Sequence, residues 1–239
     1  MNQSGFLDII AFGPTGWGAA LVDGAAMTVA IAISGFLLGG VIGLLSAWAK
    51  IAGGNALQMV ANGYTTIFRG VPELLIIYLF YFGGSALVSW IAGHFGATGF
   101  VGLPGYLAGS LAIGAISGAF HTEIFRGAYL VVNPGEIEAA RACGMSRMLR
   151  LRRIIAPLTL RNALPGLGNV WQMVLKDSAL VSVTGAVDIL RQAQIGAGST
   201  GLPFDFFFIA AALYLAISTA SAVMLRVSER RLQRGVRRG

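Results

Sequence analysis

Glu138-Ala139-Ala140-Arg141-Ala142-Cys143-Gly144 lies in the most polar part of a 239-residue chain that is 56% hydrophobic. The residues around it predict two short helices. Asn133 suits an N-cap, Pro134 the first helical position, and Glu136 completes an Asn-x-x-Glu capping box. Gly144 suits a left-handed helix end, which a side chain with a Cβ resists. Ser146 is placed to cap a second helix that carries Arg147, Arg150, Arg152 and Arg153 and reaches Pro157. The stretch therefore reads as helix, glycine turn, helix. Held between apolar segments and rich in arginine, it has the form of a surface gripped by a soluble partner.

The rest of the composition belongs to a membrane protein. Mean hydropathy is +0.74 and charged residues make up 11%, against about a quarter in soluble domains. A span takes about 20 mostly apolar residues, so the chain has room for five or six. The single cysteine, Cys143, excludes an internal disulfide and is expected as a small buried residue on the reducing side. The first residues carry no basic region ahead of an apolar run, so no cleaved signal is expected.

Residues 1–16, with Asp8 and Pro14, predict a short interfacial helix and turn. Residues 24–49 contain no Asp, Glu, Lys or Arg and predict the first span, ending at Lys50. Gly53-Gly54-Asn55 turns the chain. Residues 56–90 predict one tilted or kinked helix around Arg69-Gly70-Val71-Pro72-Glu73, because two halves would be too short to cross. Residues 93–104 form a glycine-rich loop, and residues 105–131 the third span, with Glu123 and Arg126 near its end. The fourth span runs from about residue 158 to 187 and is interrupted by Lys176-Asp177. Residues 188–203 are polar and glycine-rich, and residues 204–225 predict the fifth span. A basic tail follows. The fold class is thus all-α: a polytopic membrane protein of five transmembrane helices, forming one domain over residues 1–239.

Five spans put the termini on opposite sides. With the C-terminus inside and the N-terminus outside, the inner regions hold fourteen of the seventeen cations. That positive-inside bias explains the net charge of +7 without nucleic acid. It also puts the polar island inside, where ATP is. No phosphate-cradling Gly-x-x-x-x-Gly-Lys-Ser/Thr occurs. His94 and His121 are far apart and read as packing residues, so no metal site is expected. Gly35, Gly39 and Gly43 form small-xxx-small pairs, which mark close helix packing.

Charges at membrane depth cost several kcal/mol unless paired or hydrated, which singles out Arg69, Glu73, Lys176 and Asp177. Arg69 and Glu73 are four apart and share a face of an unbroken helix, so an internal ion pair is one reading. Pro72 favours another, because a broken helix flanked by charges is a common way to build a substrate site. In that case Arg69 meets a carboxylate and Glu73 a cation. Asp177 is a second cation partner, and Thr66 and Ser178 supply hydroxyls. Lys176 either snorkels to the outer interface or joins the site.

The residues of the island resemble the EAA loop of type I ABC importer permeases. That pattern is E-A-A, three residues, G, nine residues, I-x-L-P. Here it is met by Glu138-Ala139-Ala140, Gly144 and Ile154-Ile155-Ala156-Pro157, with Ala156 in place of leucine. Residues 63–74 (GYTTIFRGVPEL), 120–127 (FHTEIFRG) and 170–185 (VWQMVLKDSALVSVTG) are similar to signatures of polar amino acid permeases. The resemblance is to the Q-type subunit of histidine/lysine/arginine/ornithine and octopine/nopaline importers, in which an acidic residue follows Arg-Gly-Val-Pro.

The resemblance implies a permease subunit of the bacterial inner membrane that imports polar, basic amino acids and catalyses no bond change. Residues 133–157 become a cytoplasmic coupling loop in which Glu138, Ala139, Ala140 and Gly144 meet the ATPase. It further implies an M-type second permease subunit, two ATPase subunits that bind the ATP and Mg, and a periplasmic binding protein. Opines, neutral amino acids and methionine are alternative substrates. A membrane-embedded enzyme or an ATP-independent channel is the alternative class. The first needs clustered acid/base residues, which are absent, and the second has no use for the island.

Overall fold

The computed structural model describes residues 9, 11–13, 16–96 and 99–232, without the side chains of residues 230–232. Asp8, Pro14 and the last tail arginines, Arg234, Arg237 and Arg238, lie outside them, as do the side chains of Arg230 and Arg231. Among the described residues every regular element is helical. Helix α1 spans Gly18–Ala52 and α2 spans Asn55–Gly70. Helix α3 is built from Glu73–Tyr78, a π turn at Leu79–Gly83 and Gly84–His94. Helix α4 spans Gly105–Leu130 and α5 spans Pro134–Ala142. Helix α6 comprises Arg147–Arg150, a π turn at Leu151–Ile155 and Ala156–Asp177; it then tightens into a 3-10 turn at Ser178–Thr184. Helix α7 spans Ile189–Thr200 and α8 spans Pro203–Leu232.

The architecture is organised by α1 lying parallel to α4, the most extensive contact in the molecule. The glycine ladder makes that approach possible. A Cβ on Gly35 would meet Ile113 Cγ2 at 2.5 Å, one on Gly39 would meet Ser117 Oγ at 2.0 Å, and one on Gly43 would meet His121 Cβ at 2.3 Å. Each step of four in α1 matches a step of four in α4, so the small-xxx-small pairs are the seam itself. Gly40 is one residue from the seam and faces open space. Gly39→Leu is therefore expected to cost more than about 3 kcal/mol through overpacking and to leave little folded subunit in the membrane. Gly40→Leu is expected to leave the amount unchanged. Quantifying detergent-extracted protein and its melting temperature for both variants checks this.

Among the described residues, three helices are long and apolar enough to cross a membrane: Gly18–Ala52, Glu73–His94 and Pro203–Glu229. Helices α4 and α6 have the length but carry many small and polar residues. They can, because neighbouring helices cover much of them: Ile113, Ile116, Val170, Val174 and Leu175 are buried with Ile31 and Ile77. A helix walled by protein needs no lipid-like exterior. A second core joins α1, α7 and α8 through Leu21, Ile189, Ala193 and Phe206.

Three expectations change, and one stretch left without a secondary-structure reading proves helical. The segment 56–90 is two helices broken at Val71-Pro72, whose backbones are extended. Its second part, Glu73–His94, is long enough to cross alone. The stretch 188–203 is mainly helical: Asp188 caps Arg191 N at 2.8 Å and Gly201 ends the helix at φ +73°. Those two residues were legible as caps, but the intervening glycines obscured the helix. The island's second helix does not stop at Pro157; it runs on as α6. The π turn just before Pro157 accommodates a residue that cannot donate its own backbone bond. Cys143 is exposed rather than buried.

Candidate functional site

The island is shaped by its caps. Asn133 caps the helix as expected, its Oδ1 accepting from Gly135 N at 2.9 Å, but that is a bond to the second helical residue and not the one to the third that a capping box uses; Asn133 O accepts from Glu136 N at 3.1 Å. At the other end Gly144 is left-handed, with φ +73°. Met145 N bonds Ala140 O at 3.1 Å and Gly144 N bonds Arg141 O at 2.9 Å, the pair of bonds that locks a Schellman turn. Ser146 Oγ then accepts from Leu149 N at 3.4 Å and starts the next helix. Ala140 is buried, while Glu138, Ala139, Arg141 and Gly144 are exposed. One face of α5 thus rests on the protein and the other is free.

The intramembrane charges divide into two groups. No ion pair joins Arg69 to Glu73: the break at Val71-Pro72 ends the helix face they would have shared. Arg69 instead lays its guanidinium over the Phe120 ring, 5.4 Å from the centroid. With Thr66 it lines a cavity of about 430 Å³ that also includes Lys50, Asn62, Thr65 and Glu123. Lys50 is only 7% exposed; its Nζ donates to Glu123 Oε1 at 2.5 Å and Thr65 Oγ1 at 2.7 Å. Glu123 Oε2 also accepts from Arg126 Nε at 3.1 Å. Tyr64 Oη donates to Ala115 O at 2.6 Å and holds α2 against α4. Lys50, Thr65 and Glu123 thereby link α1, α2 and α4 along the cavity, and Arg69 is its cation without a carboxylate partner.

Glu73 turns the other way. Its carboxyl and that of Asp177 are near enough to interact, and Asp177, whose Oδ2 is buried without a hydrogen-bond partner, lies on the last turn of α6 before the 3-10 segment. Two carboxylates so close repel unless a proton or cation lies between them. Lys176 is exposed. Ser178 is fully buried and donates to Leu175 O at 2.7 Å, so its hydroxyl is committed inside the protein. Sequence reasoning missed the Glu73–Asp177 juxtaposition and the Lys50–Glu123 link, because each joins residues about a hundred or seventy positions apart with no local signal.

A family model described as "Binding-protein-dependent transport system inner membrane component" matches residues 39–234. The chain belongs to that family. Among its relatives is the octopine transport system permease protein of Rhizobium radiobacter, 53% identical over 234 residues, which cover 98% of this chain and 99% of the relative. The histidine/lysine/arginine/ornithine transport system permease protein of Escherichia coli K12 is 38% identical over 223 residues, covering 93% of this chain and 97% of the relative. The crystal structure of an amino acid ABC transporter with histidines aligns with a TM-score of 0.76 and 32% identity, over 90% of this chain and 95% of that one. This transport-system component therefore has the type I ABC permease fold. Its place is a membrane.

Proposed function

We propose that the chain is a permease subunit of an ATP-driven importer for basic amino acids in the bacterial inner membrane. The observation that carries the substrate class is the meeting of Glu73 and Asp177. A cationic side chain between them relieves their repulsion, while a neutral one does not. Arg69 and Thr66 take the substrate carboxylate across the helix break. The chain forms one permease domain of five spans, with the N-terminus in the periplasm and the C-terminus in the cytoplasm. It pairs with an M-type permease subunit and takes substrate from a periplasmic binding protein. Two ATPase subunits, which hold ATP and Mg, dock on Glu138, Ala139, Ala140 and Gly144. Closure of the ATPase dimer moves the islands, and the helices carry that movement to the substrate site.

Opine import is the second reading, favoured by the Arg69 cavity. An opine such as octopine adds a carboxylate to an arginine scaffold, and Arg69 is a guanidinium with no ion pair among the described residues. The deciding measurement is ATPase stimulation in liposomes with the cognate binding protein, offered arginine, lysine, histidine, octopine or glutamine. Stimulation by arginine or lysine is expected. Stimulation by octopine alone moves the assignment to opines, and stimulation by glutamine alone overturns both.

A further inference from the structure

Between α6 and the last turns of α8 lies a cavity of about 330 Å³, at the lower end of the range in which ligand pockets fall. Gly168, Asn169 and Gln172 line it from α6, and Leu225, Arg226 and Glu229 from α8. Gln172, the lining residue nearest Asp177 along α6, is fixed in place. Its Nε2 donates to Ser218 O and Ser221 Oγ, both at 3.3 Å, and its Oε1 accepts from Ser218 Oγ at 2.6 Å. Gly168 is buried, and a Cβ there would stand 3.5 Å from Glu229 Oε1 and 3.8 Å from Leu225 Cδ1. The Glu229 carboxylate therefore lies over the backbone of α6 rather than pointing away from the molecule.

The two charges of this groove are three residues apart and share a helix face. No ion pair joins them, and neither has another among the described residues. An arginine at the end of a span is ordinarily explained by snorkelling to the headgroups. A carboxylate in the same groove is not, because an anionic membrane surface repels it. Glu229 ends the apolar stretch of α8, Pro203–Glu229, so the groove opens at the level of the headgroups. Val223, Met224 and Val227 are exposed beside it on α8, a surface for acyl chains. The groove is also turned away from the acid pair: at 3.6 residues per turn, Asp177 stands about 140° round α6 from Gln172.

We propose that this groove seats the headgroup of a membrane phospholipid with a primary ammonium, Arg226 donating to its phosphate and Glu229 accepting from its ammonium. An arginine fork suits a phosphate, and a carboxylate suits a charged N–H donor. A free amino acid offers the same two charges. On this face of α6 it would be separated from Glu73 and Asp177, and it has no acyl chain to lay on Val223 and Val227. The site requires only that α8 cross the membrane and is independent of the import reading.

The test uses the assembled transporter, delipidated in mild detergent. Native mass spectrometry measures bound lipid after phosphatidylethanolamine, phosphatidylcholine or phosphatidylglycerol is added. Phosphatidylcholine keeps the phosphate, but its quaternary ammonium has no N–H to donate. Phosphatidylglycerol keeps the phosphate and has no ammonium. Wild type is expected to bind phosphatidylethanolamine tightest. Glu229→Gln is expected to weaken phosphatidylethanolamine roughly fivefold to tenfold and to strengthen phosphatidylglycerol, so that the preference between them disappears. Arg226→Gln is expected to weaken all three alike. The ranking of the lipids within each variant decides, and a change in stability alone does not alter it. Equal binding of the three lipids by wild type, or a Glu229→Gln variant that still prefers phosphatidylethanolamine, overturns the proposal. Displacement of the phospholipid by free arginine or lysine also overturns it and makes the groove a substrate site.

Discussion

Gly144→Asp is expected to abolish uptake while the subunit remains folded in the membrane at normal abundance. The reason lies in what surrounds this glycine. Its φ is +73° and a Cβ there meets nothing within 4 Å, so the substitution creates no clash. The folding cost is limited to holding a non-glycine residue in the left-handed region, about 1–2 kcal/mol. The functional cost is larger. The Schellman turn sets the angle between α5 and the arginine-bearing start of α6, and its outer surface is exposed. Aspartate adds bulk and negative charge at the centre of that surface. Gly144→Asn is the informative control, because asparagine tolerates the left-handed conformation and adds no charge; it is expected to retain much of the activity. Uptake, membrane abundance and co-purification of the ATPase should be measured together. Normal uptake by Gly144→Asp removes the coupling assignment.

Glu73→Gln is expected to lower uptake of arginine or lysine about 10- to 100-fold, the loss of one charge-assisted contact, and to lower that of a neutral substrate far less. Had Arg69 and Glu73 been an ion pair, the same substitution would leave the Arg69 cation unpaired and harm all substrates alike. The observed geometry argues for selectivity, because Arg69 rests on Phe120 and Glu73 faces Asp177. Asp177→Asn is expected to shift selectivity in the same direction. The double variant is expected to lose less than the product of the two, since both carboxyls hold one cation. Uptake of one cationic and one neutral compound in wild type and variants measures this. An equal fractional loss for both compounds rejects the reading of Glu73.

Much of this molecule was decided locally and could be read from the sequence. The island is the clearest case. Asn133, Pro134, Gly144 and Ser146 act through caps and a turn, and such interactions reach only three to five residues along the chain. The parallel seam of α1 was half legible: the spacing of Gly35, Gly39 and Gly43 marked a close-packed face, but not the partner that fills it. Helix α7 shows the opposite bias: glycines and polar residues masked a well-capped helix with one buried face of Ile189, Ala193 and Gly196.

What the tertiary structure alone decided is where the charges go. A spacing of four paired Arg69 with Glu73 on an unbroken helix, and Pro72 removed that premise by turning the chain between them. Once the helix is broken, each side chain is placed by the helix it packs against. Arg69 meets α4, Glu73 meets the end of α6, and Lys50 meets Glu123 across α1 and α4. Local rules fix caps and periodicity through bonds between near neighbours. Partners across the bundle depend on how whole helices cross, which no short stretch of sequence encodes.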